Sequence, residues 1–452
     1  MGKRLFRSKL RYYFVIAFAF FFVCVHIGLG EIRSLETATT WLKRLPAPDR
    51  ILLNPAQINQ LNQSIQQNIP EVADVFNVPS QASLPQLRVI FQDALNKYRS
   101  QVYYDDQGNQ RNVSFFENLA QEIQVPTLER SPSVQWGVVT QRTSVRALPT
   151  HEVCLKDPTD TAFDQLQYTS LSPGEPMAIY WRTQNRQWAF VQSRFYQGWV
   201  SVRDIAIGRN KEEVRQFAQQ EPFGVVTGTE VSVYADPQQQ RRILDFEMGN
   251  RLAGLQRYER GWKVLVPRQR NGWLVFETGF LKQDADVRQG YLPMTQGHIL
   301  LQAFKLLGQP YSWGGQWHGD DCSGYLVKLF RTFGLSLPRD SYQQAQVGNI
   351  LQQFSPILSV EAKKNLVSTQ AVPLVTFFQL KGHIMLYLGQ SQGQHYVIHA
   401  PWKEWEWTPQ GERQVSVARM TISKMNTGDK TSAGSYWQQL ISINKLIQKR
   451  NL

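Results

Sequence analysis

Residues 309–334, with the sequence QPYSWGGQWHGDDCSGYLVKLFRTFG, restrict the fold more than any other part of the chain. From Cys322 onward, apolar residues recur at helical spacing until Gly334, which predicts an amphipathic helix that packs on a core and ends at a glycine. Cys322 is therefore predicted to occupy the first turn of this helix. Unpaired amide N–H groups and the positive end of the helix dipole favour a thiolate over a thiol there. We therefore expect Cys322 to be an activated nucleophile.

A cysteine nucleophile needs a base, and the sequence contains seven histidines. His383 and His399 belong to the alternating apolar segments HIMLYLG and HYVIHAP, which flank GQSQG and are typical of a β-hairpin. With residues 389–393 as the loop, Leu388 pairs with Gln394 and His383 pairs with His399. Both imidazoles then lie on one face of the hairpin. One of them can accept the thiol proton while the other orients it.

The other histidines outside the N-terminal segment receive no catalytic role in this prediction. His395 shares the hairpin face but lies near the turn, His318 belongs to a glycine-rich loop at the rim, and His298 lies on a helix face. His151 and Cys154, in the segment HEVC, lack the second pair of ligands that a zinc site would need and are expected in a loop.

Five motifs, YSWGG, DCSGYL, LPRDS, GHIMLYLG and VIHA, follow one another in the last third of the chain. In order and spacing they resemble an NlpC-type cysteine peptidase domain, a compact relative of the papain fold. The resemblance implies that Cys322 is the nucleophile, His383 the general base and His399 the orienting residue, with neither a metal nor a cofactor. It further implies that the substrate cleft is lined by Asp321, Ser323, Tyr311, Arg339 and Ser341.

An internal repeat occupies the middle of the chain. GVVTQRTSVRALP begins at Gly137 and GVVTGTEVSVYADP begins at Gly224, and each copy ends in a Gly-Trp-apolar segment. Short runs of Val, Tyr, Trp and Phe broken by turn residues are typical of small antiparallel barrels. The copies resemble bacterial SH3-like domains, so we expect barrels at residues 134–208 and 221–286. The alternative is that they serve only as packing partners.

The chain of 452 residues is predicted to be an α+β multidomain protein. A mainly helical region at residues 40–130 precedes the two small β-barrels, and a papain-like NlpC catalytic domain follows at residues 291–452. In position, the helical region resembles the N-terminal stabilising region of some NlpC-type wall peptidases. The balance of 42% hydrophobic and 19% charged residues excludes wholesale disorder.

Residues 1–30 combine a basic start with an apolar run and small residues at Gly28 and Gly30, which predicts a cleaved signal peptide. A retained membrane anchor is the alternative, so the expected location is periplasmic or secreted, with inner-membrane attachment left open. Removal of Cys24 with this segment leaves Cys154 and Cys322, which we expect to be unpaired. The formal charge of +13 favours anionic surroundings, but no nucleic-acid motif accompanies it.

The resemblance implies an endopeptidase that acts on peptidoglycan stem peptides or muropeptides. It would cleave between γ-D-glutamate and a diamino acid such as diaminopimelate. Asp321, a carboxylate beside the nucleophile, suits a substrate that has a free amine. Two alternatives stay open: a non-catalytic peptidoglycan-binding scaffold, and another cysteine-dependent acyl transfer such as amidase or transpeptidase chemistry.

Overall fold

The computed structural model describes residues 37–124, 131–355 and 357–447. The predicted signal peptide or anchor, residues 1–30, and Cys24 within it lie outside the described residues. None of the helices within these three ranges combines the length and the apolar character needed to cross a membrane. Cys154 and Cys322 are both buried and free, in agreement with the prediction that they do not pair.

The N-terminal region connects the first barrel to the catalytic part of the chain. It forms α1 (Ala38–Leu42), β1 (Ile51–Leu53), α2 (Pro55–Asn68), α3 (Leu84–Arg99) and α4 (Val113–Ile123). On α3, Phe91 packs edge-on against Phe190 of the first barrel at a centroid distance of 4.8 Å. On α2, Asn62 donates a hydrogen bond to the Gly334 carbonyl at 2.9 Å, directly after the predicted catalytic helix. This region therefore braces two parts of the molecule.

The two sequence repeats have the same pattern of strand pairing. The first comprises β2 (Gln135–Val139), β3 (Thr143–Arg146), β4 (Gln167–Leu171), β5 (Pro176–Arg182), β6 (Trp188–Gln192), β7 (Gln197–Ser201) and β8 (Ile205–Ile207). The second comprises β9 (Phe223–Val226), β10 (Glu230–Tyr234), β11 (Arg242–Glu247), β12 (Arg251–Ala253), β13 (Gln256–Tyr258), β14 (Gly261–Arg270), β15 (Trp273–Lys282) and β16 (Val287–Gln289). In the first, β3 pairs with β4 and β7; in the second, β10 pairs with β11 and β15.

Helix α5 (Lys211–Ala218) connects the two repeats, and a short parallel contact joins them, in which Ile207 of β8 pairs with Trp273 of β15. Each repeat has its own buried cluster. Val145 and Val191 lie in the cluster of the first repeat, and Val233 and Val266 lie in that of the second. The two GVVT segments place Val139 and Val226 in these clusters, whereas Trp199 of the first GW segment is buried and Trp273 of the second is half exposed.

The last third of the chain packs helices against an antiparallel sheet. Its elements are β17 (Met294–Thr295), α6 (Gln296–Lys305), α7 (Cys322–Arg331), α8 (Ser341–Gln344), β18 (Asn349–Gln353), α9 (Val360–Gln370), β19 (Thr376–Leu380), β20 (His383–Ser391), β21 (Gln394–His399), β22 (Lys403–Thr408), β23 (Gly411–Ser416), β24 (Thr421–Lys424), α10 (Tyr436–Gln439) and β25 (Ser442–Lys445). The main sheet has the order β18-β25-β19-β20-β21-β24. Helix α7 packs on it, with Phe330 edge-on to Phe377 at 5.6 Å.

The predicted helix at the cysteine is confirmed. Helix α7 begins at Cys322 and buries Tyr325, Leu326 and Phe330. Gly334 follows with a φ of 78°, a left-handed conformation that favours glycine after a helix. Helical periodicity and a glycine stop were sufficient to predict this element.

The histidine hairpin forms, but its predicted register is wrong. Gln392 and Gly393, with φ values of 49° and 73°, form a two-residue turn rather than the predicted longer loop. Such turns match the twist of the flanking strands. Gln394 consequently pairs with Ser391 rather than with Leu388, a shift of three residues.

His383 and His399 nevertheless lie close together. A shift of three residues alone would place them on opposite faces, because side chains alternate along a strand. A β-bulge between Tyr387 and Gly389 takes up one residue, so the net shift at the histidines is even and the shared face is kept. In the ladder itself, His383 pairs with Leu380 of β19 and not with His399.

Candidate active site

Cys322 lies in the first turn of α7 and is only 7% exposed. Burial and the negative charge of Asp321 raise the pKa of its thiol to about 12. The backbone N–H groups of Ile384 and Ser323 and the positive charge of Arg339 act in the opposite direction but do not outweigh these effects. The resting group is therefore the neutral thiol, in contrast to the thiolate predicted from the helix start alone. The Ile384 N–H near the sulfur also shows that β20 meets the thiol directly after His383.

The two hairpin histidines form a direct contact. His383 Nε2 lies 2.7 Å from His399 Nδ1. His383 is partly exposed at the start of β20, whereas His399, at the end of β21, is 2% exposed. Burial and the neighbouring His399 lower the pKa of His383 to about 3, despite the nearby carboxylates of Glu404 and Asp321. His383 is consequently a neutral imidazole at neutral pH, able to accept a proton.

A carboxylate that sequence reasoning missed lies behind His399. Glu404 on β22 accepts hydrogen bonds from Ser423 Oγ at 2.7 Å and from the Tyr436 hydroxyl at 2.8 Å. His399 Nε2 is 3.6 Å from the same oxygen, Glu404 Oε1. Burial alone would raise the pKa of Glu404, but these three neighbours lower it to about 2. In the sequence, Glu404 alternates with Trp405 and Glu406 like any residue on a solvated strand, so no pattern identified it.

Asp321, Ser323 and Arg339 form one buried network beside Cys322. Arg339 makes two hydrogen bonds to the Asp321 carboxylate, at 2.8 and 2.6 Å, and a third to Ser323 Oγ at 2.9 Å. The Asp321 carboxylate also accepts from Ser323 Oγ at 3.0 Å and from the Gly314 and Gly324 N–H groups. Asp321 therefore has an internal counter-charge and little capacity for a substrate amine, in contrast to the expectation from the sequence.

The first barrel contacts this network through Thr169. Its hydroxyl accepts a hydrogen bond from Arg339 Nε at 2.8 Å. Next to Arg339, the carboxylate of Asp340 accepts a hydrogen bond from Tyr196, whose ring stacks on Tyr168 at 5.3 Å. Among the residues that the structure describes, no lysine or arginine forms an ion pair with Asp340. Burial raises its pKa, and the bond from Tyr196 offsets this only in part.

A cluster of aromatic side chains lies near Cys322. Tyr311, one of the predicted cleft residues, lies near Asp321, and burial together with that carboxylate raises its pKa. Phe163, from the insert of the first barrel, packs against Trp313 at 5.3 Å and against Trp402 at 5.4 Å. The remaining predicted cleft residue, Ser341, begins α8 directly after Asp340. The insert of the first barrel thus packs against aromatic residues next to the predicted cleft residue Tyr311.

Charged residues of both barrels meet next to the loop that precedes Cys322. Glu247 of the second barrel forms ion pairs with Arg142 of the first barrel and with Lys328 of α7, and Lys328 also pairs with Asp320. Arg142 Nη2 donates to the Gly315 carbonyl at 2.6 Å. A cavity of about 600 Å³ opens at this junction, with the exposed Trp317 and His318 at its rim. The first barrel therefore contacts the loop before Cys322 directly, and the second barrel contacts Arg142 and α7 through Glu247.

Two of the histidines that received no catalytic role in the prediction, His298 and His395, contact groups other than Cys322, His383 and His399. His298 Nδ1 contacts the Pro293 carbonyl at 2.9 Å, and His395 contacts the Tyr387 hydroxyl at 2.9 Å. Within residues 37–124, 131–355 and 357–447, no cluster of three or more His, Cys, Asp or Glu side chains is arranged to hold a metal ion.

Comparison with known proteins gives two family matches. Residues 308–420 match the NlpC/P60 family, and residues 154–201 match an SH3 domain of the SH3b1 type. Over 88% of this chain and 92% of the other, the fold is similar to that of an NlpC/P60 endopeptidase from Photobacterium damselae subsp. piscicida, with a TM-score of 0.70 at 21% identity.

Two Bacillus proteins named γ-D-glutamyl-L-lysine dipeptidyl-peptidase are similar in sequence. The B. cereus protein is 26% identical over 214 residues, which cover 46% of this chain and 56% of the relative. The B. subtilis protein is 37% identical over 75 residues, 16% of this chain and 25% of the relative. The matches thus span about half or less of these relatives. The family matches, together with the cysteine at a helix start and the paired histidines, show that the chain carries a domain of the NlpC/P60 cysteine peptidase family, C-terminal to an SH3 domain of the SH3b1 type.

Proposed function

We propose that this protein is a peptidoglycan stem-peptide endopeptidase that hydrolyses the bond between a γ-D-glutamyl residue and a diamino acid. The observation that carries the proposal is that the N–H of Ile384, the residue after His383, lies near the Cys322 sulfur, while His383 contacts His399. The names of the two Bacillus relatives support the γ-D-glutamyl bond and include L-lysine as the diamino acid. Diaminopimelate is the alternative diamino acid.

The reaction follows from the neutral thiol and the neutral base. As the sulfur of Cys322 attacks the scissile carbonyl carbon, its proton passes to His383 and a carbon–sulfur bond forms. The N–H of Cys322, in the first turn of α7, has no intrahelical acceptor and supports an oxyanion. Collapse breaks the carbon–nitrogen bond, and His383 returns the proton to the leaving amine. Water then hydrolyses the thioester and restores the thiol.

We assign recognition of a free substrate amine to Asp340 rather than to Asp321. Asp321 is neutralised by Arg339, whereas Asp340 is partly exposed, forms no described ion pair and is oriented by Tyr196. A stem peptide whose terminal amine is free would supply the missing positive charge. The first barrel, through Tyr196, would thereby take part in substrate selection.

Substitution of Asp340 by Asn tests this assignment. A charge-assisted hydrogen bond contributes about 1.5–3 kcal/mol, so we expect kcat/KM for a free-amine peptide to fall about 10- to 100-fold. The same peptide with an acetylated amine should be a poor substrate for both proteins, with little difference between them. An equal loss for both peptides would show that Asp340 acts on the fold and not on the amine.

The location is proposed from the sequence of residues 1–30, which favours export to the periplasm or the exterior, with membrane attachment as the alternative. Peptidoglycan lies in that compartment, and a net charge of +13 suits an anionic polymer. N-terminal sequencing of the mature protein from cell fractions would distinguish a cleaved segment from an anchor. An uncleaved protein confined to the cytoplasm would contradict the proposed location.

Incubation with defined muropeptides tests the activity itself. Peptides that contain γ-D-Glu-L-Lys or γ-D-Glu-diaminopimelate are digested, and the products are identified by mass spectrometry, with Cys322→Ala as the inactive control. Cleavage at the γ-D-glutamyl bond supports the proposal. A product cut at another amide, or a transferred acyl group, would favour the amidase or transpeptidase alternative. Binding without any reaction by the folded protein would favour the scaffold.

A further inference from the structure

Glu404, His399 and His383 lie next to one another in that order, with the carboxylate of Glu404 at one end. Ser423 Oγ and the Tyr436 hydroxyl both donate to Glu404 Oε1, which fixes the carboxylate in place. His399 Nε2 faces the same oxygen at 3.6 Å, and this buried nitrogen has no hydrogen-bond partner among the described residues. On its other side, His399 contacts His383 at 2.7 Å. His399 thus has a defined neighbour at each of its ring nitrogens, and His383 has one at Nε2.

This arrangement determines where the protons sit. An ionised carboxylate can only accept, so the nitrogen that faces Glu404 carries the proton of His399. His399 Nδ1 is then the acceptor in the contact with His383, and His383 Nε2 is the donor. The remaining nitrogen of His383, Nδ1, keeps its lone pair. In the opposite arrangement, His383 Nδ1 would carry the proton and could not take one from a thiol.

We propose that Glu404 is a positioning residue, which fixes the tautomer of His399 and, through it, leaves His383 Nδ1 free to accept the proton of Cys322. Glu404 also supplies the negative charge that stabilises the imidazolium formed when the thiol attacks. The proposal rests on the proposed function in one respect, namely that His383 is the base of the reaction. In this proposal the residues act on one another in the order Glu404, His399, His383 and Cys322.

A purely structural role for Glu404 would have different consequences. The carboxylate also connects β22 to Ser423 of β24 and to Tyr436 of α10, so its loss will affect packing. Glu406, two residues further on the same strand, is an exposed glutamate paired with Arg413 and serves as the matched control. Removal of the hydroxyl in Ser423→Ala weakens the same anchor but leaves the charge of Glu404 in place.

The test measures thiol activation without any peptide substrate. The rate of alkylation of Cys322 by iodoacetamide at neutral pH is measured for the full-length protein and for Glu404→Gln, Glu404→Asp, Ser423→Ala and Glu406→Gln. Melting temperatures are recorded in parallel. If a γ-D-glutamyl peptide is cleaved, kcat and KM are measured as well. If none is cleaved, the proposed function fails, while the alkylation rates still decide the role of Glu404.

We expect Glu404→Gln to lower both the alkylation rate and kcat about 10- to 100-fold, as loss of a partner that orients a functional histidine does elsewhere. KM should stay within about twofold, because Glu404 does not contact the substrate. Glu404→Asp, which keeps the charge, should recover part of the loss, and Ser423→Ala and Glu406→Gln should remain near the original rate. Unchanged alkylation in Glu404→Gln, or an equal loss in Ser423→Ala, would overturn the proposal. A Glu404→Asp protein that is no faster than Glu404→Gln would do so too.

Discussion

Replacement of Arg339 by Met measures whether Asp321 is an internal ion-pair partner or an open substrate contact. The change removes the guanidinium but keeps a side chain of similar length. Asp321 would retain the Gly314 and Gly324 N–H groups and the Ser323 hydroxyl, but it would lose its only counter-charge among the described contacts. A carboxylate that stays buried without a partner is strongly unfavourable.

The expected loss is large because both partners are buried. Breaking a buried pair from one side costs about 3–5 kcal/mol, since the other charge is left uncompensated. For a cooperative unit of roughly 150–250 residues, such as the last third of this chain, a loss of about 3–5 kcal/mol corresponds to a fall in Tm of about 10 °C. The thiol is affected as well: Arg339 lowers the pKa of Cys322 and Asp321 raises it. Without Arg339, the thiolate formed during attack is disfavoured, so kcat should also fall.

Thermal unfolding followed by circular dichroism, together with kcat on the same samples, provides the measurement. The double variant Arg339→Met with Asp321→Asn should be more stable than Arg339→Met alone, because the orphaned charge is gone. Arg413→Met, which removes an exposed arginine, is the control and should cost no more than about 0.5 kcal/mol. A cost below about 1 kcal/mol for Arg339→Met would refute the reasoning and show that Asp321 is solvated and open to ligands.

Two further predictions concern the thiol and the histidines. Because the pKa of Cys322 is raised to about 12 and that of His383 is lowered to about 3, both groups are neutral between these values, and the thiolate fraction grows as pH rises. Alkylation of Cys322 should therefore accelerate into the alkaline range, and a plateau between about pH 5 and pH 8 would instead reveal a thiolate–imidazolium pair. Turnover of one muropeptide should fall more in His383→Ala than in His399→Ala, because His383 is the proposed base and precedes Ile384, whose N–H lies near the Cys322 sulfur. His318→Ala should leave turnover unchanged, and His395→Ala should lower Tm rather than kcat. A larger loss of turnover in His318→Ala or His395→Ala than in His383→Ala would mean that the base has been wrongly assigned.

Local rules explain what the sequence predicted correctly at the site. Helical spacing and a terminal glycine specified α7, so Cys322 could be placed at its start. Strand alternation specified the hairpin, and His383 and His399 do meet, although the assumed turn was wrong. The shorter turn and the β-bulge shifted the pairing in opposite directions, and their sum kept both side chains on one face. The correct contact was thus reached through an incorrect register.

Contacts between distant segments account for what was missed. Glu404 is recognisable only once the hairpin of β22 and β23 folds back toward His399 and Tyr436. Asp321 was read as a free carboxylate because its neighbours in sequence do not show that Arg339 pairs with it. The thiolate was expected for the same reason: the helix start was visible in the sequence, whereas the burial that raises the pKa of Cys322 was not.

The electrostatics of the site also explain why the first barrel is more than a packing partner in this fold. Arg339, the counter-charge of Asp321, is held on its Nε side by Thr169 of the first barrel. Arg142, from the same barrel, fixes the carbonyl of Gly315 in the loop that leads to the nucleophile. Each of these contacts constrains a group within the catalytic domain that sets the charge or the backbone position near Cys322. A change in the first barrel would therefore alter the reactivity of the thiol as well as the shape of the cleft.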